Sequence, residues 1–150
     1  MARQRLIRPA TPLPAEDLLV RALFQTYASG VDFDRDALVA DAAYNFELFG
    51  YFGLSLWHVS DVWPLERILT DKTRRARRVA MFTAGALQTQ GLGLVPSGKA
   101  PHYDASHGPV YGSTYANVQI TSGSAEELVD RFLAAAYTVE DNPHHQQEPS

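Results

Sequence analysis

The chain contains 150 residues, has a mass of 16.6 kDa, and is 45% hydrophobic and 20% charged, with a formal net charge of −4. This length corresponds to a single domain, and the apolar content excludes a chain that is disordered throughout. The sequence has no cysteine, which excludes disulfide bonds, thiolate metal sites and a cysteine nucleophile.

Two helices are predicted near the N-terminus, after an arm at residues 1–13. In the first helix, 14–27, the apolar residues Leu19 and Leu23 are followed four positions later by a tyrosine, a helical spacing. The second helix spans 34–49 and is followed by a glycine, a residue that commonly ends helices.

The rest of the chain alternates between strand and helix patterns. An S-x-x-E capping box at Ser124 and Glu127 marks the start of the last helix. Glycine, proline and threonine residues mark the predicted boundaries of the shorter elements. The predicted strands are 54–59, 77–82, 92–95, 102–106 and 116–121, and the predicted short helices are 64–71 and 84–90.

These elements predict an α+β domain at residues 14–139. Two N-terminal helices would precede a small mixed or antiparallel sheet with helices. The second half fits a ferredoxin-like, split β-α-β arrangement. No apolar residue follows position 139, so residues 140–150 are predicted to form a disordered tail.

The charges are segregated along the chain. Residues 31–71 hold eight acidic and two basic side chains, whereas the next seven residues hold five basic ones and no acid. A cluster of this kind can bind phosphate groups even in an acidic protein, although basic side chains are also common at helix ends. We call it the basic segment; it consists of Lys72, Arg74, Arg75, Arg77 and Arg78.

The segment 102–107 contains the densest cluster of side chains suited to catalysis. On a strand, His102 and Asp104 would point to the same face, and a carboxylate beside an imidazole fixes its tautomer and raises its basicity. His107, predicted in the adjoining turn, could act as the complementary acid. Together they could cleave RNA without a metal. The alternatives are a polar strand edge or a metal site, and we predict no metal and no cofactor.

Three tyrosines near this segment are candidates for stacking on bases. Tyr103 lies inside it, and Tyr111 and Tyr115 lie in a loop-like stretch rich in glycine, serine and threonine. Exposed aromatic rings can stack on nucleobases or anchor a protein partner. The competing interpretation is that these rings pack back onto the sheet.

The sequence therefore predicts a small cytoplasmic, bacterial protein that contacts RNA. In its sharper form it is a metal-independent ribonuclease of the toxin kind. The alternative is a non-catalytic interaction module or homodimer subunit, which would use its aromatic residues and segregated charges. A third hypothesis is a small-molecule enzyme that uses Glu47 or His58. No apolar run reaches the ~18 residues that a membrane helix requires, so no membrane association is expected.

Overall fold

The computed structural model of the chain describes residues 7–8, 12–24, 27, 30–107 and 123–145. This part of the chain forms a six-stranded sheet and four helices, which confirms the α+β class. The strands are β1 (Leu18–Leu23), β2 (Gly53–His58), β3 (Arg78–Thr83), β4 (Leu92–Val95), β5 (His102–His107) and β6 (Thr138–Asp141). The helices are α1 (Arg35–Phe49), α2 (Leu65–Asp71), α3 (Ala84–Thr89) and α4 (Ala125–Ala134).

The sheet has the strand order β4-β5-β2-β1-β3-β6, and all neighbouring strands are antiparallel. The first two strands of the chain lie in the middle and separate β4–β5 from β3–β6. The second half therefore does not form a ferredoxin-like sheet of its own, because its strands are divided between the two sides of β1 and β2.

Helices cover both faces of the sheet. Three of them, α1, α3 and α4, bury the larger core against one face, which we call the core face. On the other face α2 covers a smaller cluster. The largest side chains that are almost completely buried include Leu19, Leu54, Leu56, Phe82, Leu87, Leu128 and Phe132 in the core on the core face, and Ile68 of α2 with Val79 of β3 on the other side.

The predicted first helix is wrong, because residues 18–23 form strand β1. The four-residue spacing of Leu19 and Leu23 fits a helix, but an even spacing also places residues on one face of a strand. Both are buried in the core face, while Val20 is buried on the opposite face under α2. A strand buried on both faces carries a continuous apolar run, which periodicity alone does not distinguish from a helix.

The predicted second helix is confirmed as α1, and the glycine after it ends the helix as the sequence predicts. The Asp34 carboxylate accepts a hydrogen bond from the Ala37 amide at the start of α1, and Gly50 ends the helix with a left-handed φ of 83°. Ser124 caps α4 through the Glu127 amide in the same way. The predicted strand 116–121 lies outside the described residues.

The predicted arm and the predicted tail both contact the rest of the domain. Ile7 forms an isolated bridge with Ser97, and the Arg8 guanidinium donates to the carbonyl oxygen of His102 at 2.7 Å. At the other end β6 pairs with β3 through Asp141, and the buried Asn142 side chain donates to backbone carbonyls around α2. The segment predicted as a tail from residue 140 therefore begins as an edge strand.

Candidate functional site

Strand β5 carries the predicted catalytic residues, but it separates them. His102 and Asp104 share the face opposite the core face, as the strand alternation requires. His107 is the last residue of β5, rather than part of a turn, and it lies on the core face with its Nε2 2.8 Å from the carbonyl oxygen of Ser124. The imidazoles of His102 and His107 thus lie on opposite sides of the sheet, where they cannot act as base and acid on one phosphodiester.

Asp104 is the centre of a buried polar network. Its side chain is completely buried, and its Oδ2 accepts hydrogen bonds from the Tyr51 hydroxyl at 2.6 Å and from the Ser97 hydroxyl at 2.7 Å. The absence of a side chain at Gly53 allows Asp104 to pack closely here. A Cβ at this position would lie 3.2 Å from the Asp104 Cβ and 3.0 Å from the side-chain amide nitrogen of Asn45. Hydrogen bonds from hydroxyl donors offset the cost of burying a carboxylate.

His102 is held between two serines. Its Nδ1 lies 3.0 Å from the Ser97 carbonyl oxygen, and its Nε2 lies 3.0 Å from the Ser55 hydroxyl oxygen. A carbonyl oxygen can only accept, so the neutral ring carries its proton on Nδ1 and presents the Nε2 lone pair to Ser55. The direct separation from His102 Nε2 to Asp104 Oδ1 is 3.9 Å. Asp104 therefore orients His102 through Ser97, which hydrogen-bonds both residues.

A cleft opens where β1 and β2 cease to pair. These strands pair only near Leu19 and Val20, whereas β1 and β3 pair along their whole length. Arg21 spans the gap: its Nη1 donates to the Ser55 carbonyl and its Nη2 to Asp41 of α1, each at 3.0 Å. Only 14% of the Arg21 side chain is exposed, and this burial lowers the pKa of its guanidinium.

The cleft has a volume of about 360 Å³ and lies between α1 and these two strands. We call it the Arg21 cleft. Small-molecule sites have volumes of roughly 300–1,000 Å³, and they combine apolar walls with a few polar groups. The same combination occurs here, because the lining includes Arg21, Phe24, Tyr44, Asn45, Leu48, Phe49, Ser55 and Trp57.

The basic segment is largely exposed. Arg74, Arg75 and Arg77 are exposed, and no acidic side chain in the described part of the chain forms an ion pair with them. Lys72 lies with its Nζ 5.0 Å from the centre of the Trp63 ring. Arg78 differs, because its Nη1 is 2.9 Å from the Asp32 carboxylate.

Phe24 connects the basic segment with the Arg21 cleft. Its side chain follows β1 and is 65% exposed, although it is large and apolar. It lines the Arg21 cleft and also a second hollow of about 530 Å³, whose other lining residues are Thr70, Asp71, Lys72, Arg74 and Arg75. We call this second hollow the basic cleft. The exposed Tyr44 stands on the α1 side of the Arg21 cleft.

Of the three predicted stacking tyrosines, Tyr103 does not contribute to this surface. Tyr103 is 6% exposed and belongs to the main core, where its ring contacts His58. Tyr111 and Tyr115 lie outside the described residues. The exposed aromatic residues Phe24 and Tyr44 were not predicted as functional. One sequence signal was available for the cleft, namely a single arginine inside the apolar run of residues 18–23.

The structure gives little support to the third hypothesis, a small-molecule enzyme that uses Glu47 or His58. Glu47 is exposed on α1. His58 contacts Asp17, and its Nε2 lies 2.8 Å from an oxygen of the Asp17 carboxylate. Within the described residues, no three His, Asp or Glu side chains are placed to hold a metal ion.

Comparison with known protein families, curated proteins and solved structures finds no match for this chain. Among the helices of the described part, none has the length and apolar character required to cross a membrane.

Proposed function

We propose that this protein binds single-stranded nucleic acid, with RNA as the expected form, on the surface that joins the basic cleft to the Arg21 cleft. The observation that carries the proposal is the position of Phe24. This exposed ring lines both clefts, and on one side of it lie Arg74 and Arg75, which have no ion pair among the described residues.

The chemistry of this surface matches the two parts of a nucleotide chain. Arg74 and Arg75 offer planar guanidinium groups, which bind phosphate oxygens through paired hydrogen bonds. Phe24 and Tyr44 expose ring faces on which unpaired bases can stack. Single-stranded ligands are favoured because stacking of this kind requires bases that are not already paired.

The placement of the predicted catalytic residues does not support the ribonuclease mechanism. His107 lies on the core face, and His102 is held between Ser55 and Ser97 on the other side of the sheet. The proposal is therefore binding without strand cleavage.

The test is the affinity of the purified protein for a fluorescent single-stranded RNA, measured by anisotropy across a salt series. We expect affinity to fall steeply with salt, because phosphate binding releases counter-ions. Arg75→Ala should lower the slope of log affinity against log salt by about 1. The matched control is Arg131→Ala, which removes a partly exposed charge that is paired with Glu127 on α4.

Three outcomes would contradict the proposal. The first is the absence of RNA binding at low salt, and the second is an equal effect of Arg75→Ala and Arg131→Ala. The third is a dimer that is insensitive to salt and depends on Phe24, which would instead support the interaction-module hypothesis. Incubation of the same RNA in EDTA, followed by electrophoresis, tests cleavage separately; His102-dependent cleavage would restore the ribonuclease hypothesis.

A further inference from the structure

Ser55, which lines the Arg21 cleft, is hydrogen-bonded to His102, which is not itself part of the lining. The two residues lie on the neighbouring strands β2 and β5, and the Ser55 hydroxyl oxygen is 3.0 Å from His102 Nε2. Ser55 belongs to the lining of the cleft. We propose that Ser55 is an activated nucleophile with His102 as its general base, and that the pair transfers acyl groups from esters bound in the Arg21 cleft. This inference does not depend on nucleic-acid binding.

The hydrogen bonds around His102 run in one direction, which is the direction that activates a serine. The Ser55 hydroxyl donates to His102 Nε2, and His102 Nδ1–H faces Ser97, 3.0 Å from its carbonyl oxygen and 3.2 Å from its hydroxyl oxygen. The same Ser97 hydroxyl donates its own proton to Asp104. The Ser97 hydroxyl therefore connects the imidazole to the buried Asp104 carboxylate, and hydrogen bonds in such a series polarise one another. A nucleophile within hydrogen-bond reach of a base that is itself oriented by a third group is the arrangement required for nucleophilic catalysis.

The walls of the cleft indicate the class of substrate. Leu48, Phe49 and Trp57 would surround an apolar or aromatic acyl group. Arg21 supplies positive charge beside the nucleophile, because its Nη1 lies 3.0 Å from the Ser55 carbonyl oxygen. That charge would stabilise the oxyanion that develops on the ester carbonyl.

The reaction proceeds in two balanced steps. The Ser55 hydroxyl oxygen attacks the ester carbonyl carbon as its proton passes to His102 Nε2, and the carbonyl becomes an oxyanion. When this intermediate collapses, the bond to the alcohol oxygen breaks, and His102 returns the proton to the leaving alcohol. Water then attacks the acyl-Ser55 with the same proton transfers, which releases the carboxylic acid and restores the serine.

The first test uses a fluorophosphonate probe on the intact protein. Ser55 would displace fluoride and form a stable bond to phosphorus, with His102 accepting its proton. Peptide mass spectrometry should place the adduct on Ser55, and labelling should disappear in Ser55→Ala and fall at least tenfold in His102→Gln. Ser60→Ala, a serine outside the cleft lining, should label like the wild type. The absence of an adduct on Ser55, or equal labelling of folded His102→Gln, would overturn the proposal.

A second test does not require a substitution of His102. The chain has no cysteine, so Ser55→Cys introduces a unique thiol. An imidazole within hydrogen-bond reach favours the thiolate, which is the reactive form. We expect this thiol to react with iodoacetamide at neutral pH at least tenfold faster than the thiol of Thr138→Cys, which lies on the exposed edge strand β6. An equal or slower reaction of the more buried Ser55→Cys thiol would overturn the proposal.

Discussion

The Tyr51 hydroxyl donates a hydrogen bond of 2.6 Å to Oδ2 of Asp104, a carboxylate that is completely buried. This contact joins the connection between α1 and β2 to strand β5, although the two residues are 53 positions apart. The turn that places Tyr51 is set by Gly50, and the Asn45 side chain fixes it by donating to the Tyr51 carbonyl at 2.8 Å. The buried network is therefore part of the scaffold that holds His102.

Tyr51→Phe should destabilise the protein. The substitution keeps the ring but leaves Asp104 with one fewer hydroxyl donor, and a hydrogen bond to a charged group contributes roughly 1.5–3 kcal/mol. The free energy of unfolding in urea measures this loss. Tyr44→Phe is the matched control, because the Tyr44 side chain is 60% exposed and its variant should stay within about 0.5 kcal/mol of the wild type. Equal stability of Tyr51→Phe and the wild type would contradict this role.

Phe24→Ala should weaken binding of single-stranded RNA without unfolding the protein. Loss of one stacking ring costs roughly 1–3 kcal/mol, which corresponds to about a 5- to 150-fold decrease in affinity. Val62→Ala is the matched control, because Val62 is 71% exposed and does not line either cleft. Anisotropy titrations of both variants at one salt concentration provide the comparison. A similar effect of the two substitutions would remove Phe24 from the binding surface.

Much of the fold was predictable from local signals. The end of α1 and the start of α4 were identified because Gly50 directly follows α1 and Ser124 caps an amide only three residues away. The shared face of His102 and Asp104 was predicted because strand alternation is also local. Strand β1 was missed because its burial on both faces depends on β2, β3 and the helices, which are distant in sequence.

The network and the clefts depend on long-range contacts. Ser55 meets His102 across 47 positions, and Arg21 meets Asp41 only because β1 and β2 stop pairing beside α1. No spacing rule links such residues, since their proximity results from the order of strands in the sheet. The exposure of Phe24 could not be predicted from the sequence either, because a phenylalanine that follows an apolar segment is usually buried in a core.

Arg78→Ala should separate stability from binding within the basic segment. Arg78 is ion-paired with Asp32, which also accepts a hydrogen bond of 3.0 Å from the Tyr137 hydroxyl. Removal of the Arg78 side chain should lower the free energy of unfolding by about 1 kcal/mol. It should leave the salt dependence of RNA binding close to that of the wild type. Arg75→Ala should show the opposite pattern, because Arg75 has no such pair among the described residues. Parallel urea and anisotropy measurements distinguish the two, and a reduced salt slope in Arg78→Ala would show that Arg78 binds phosphate.

Tyr137 should make stability sensitive to alkaline pH. Burial of its side chain, together with its hydrogen bond to Asp32, raises the pKa of the Tyr137 hydroxyl above its ordinary value of about 10. The unfolded chain therefore loses this proton at a lower pH than the folded protein. The resulting contribution is fully present below pH ~10 and is lost as the pH rises through the folded pKa. Urea unfolding between pH 8 and about pH 11 should show that the free energy of unfolding falls more steeply with pH in the wild type than in Tyr137→Phe. An equal dependence on pH in the two proteins would contradict the raised pKa of Tyr137.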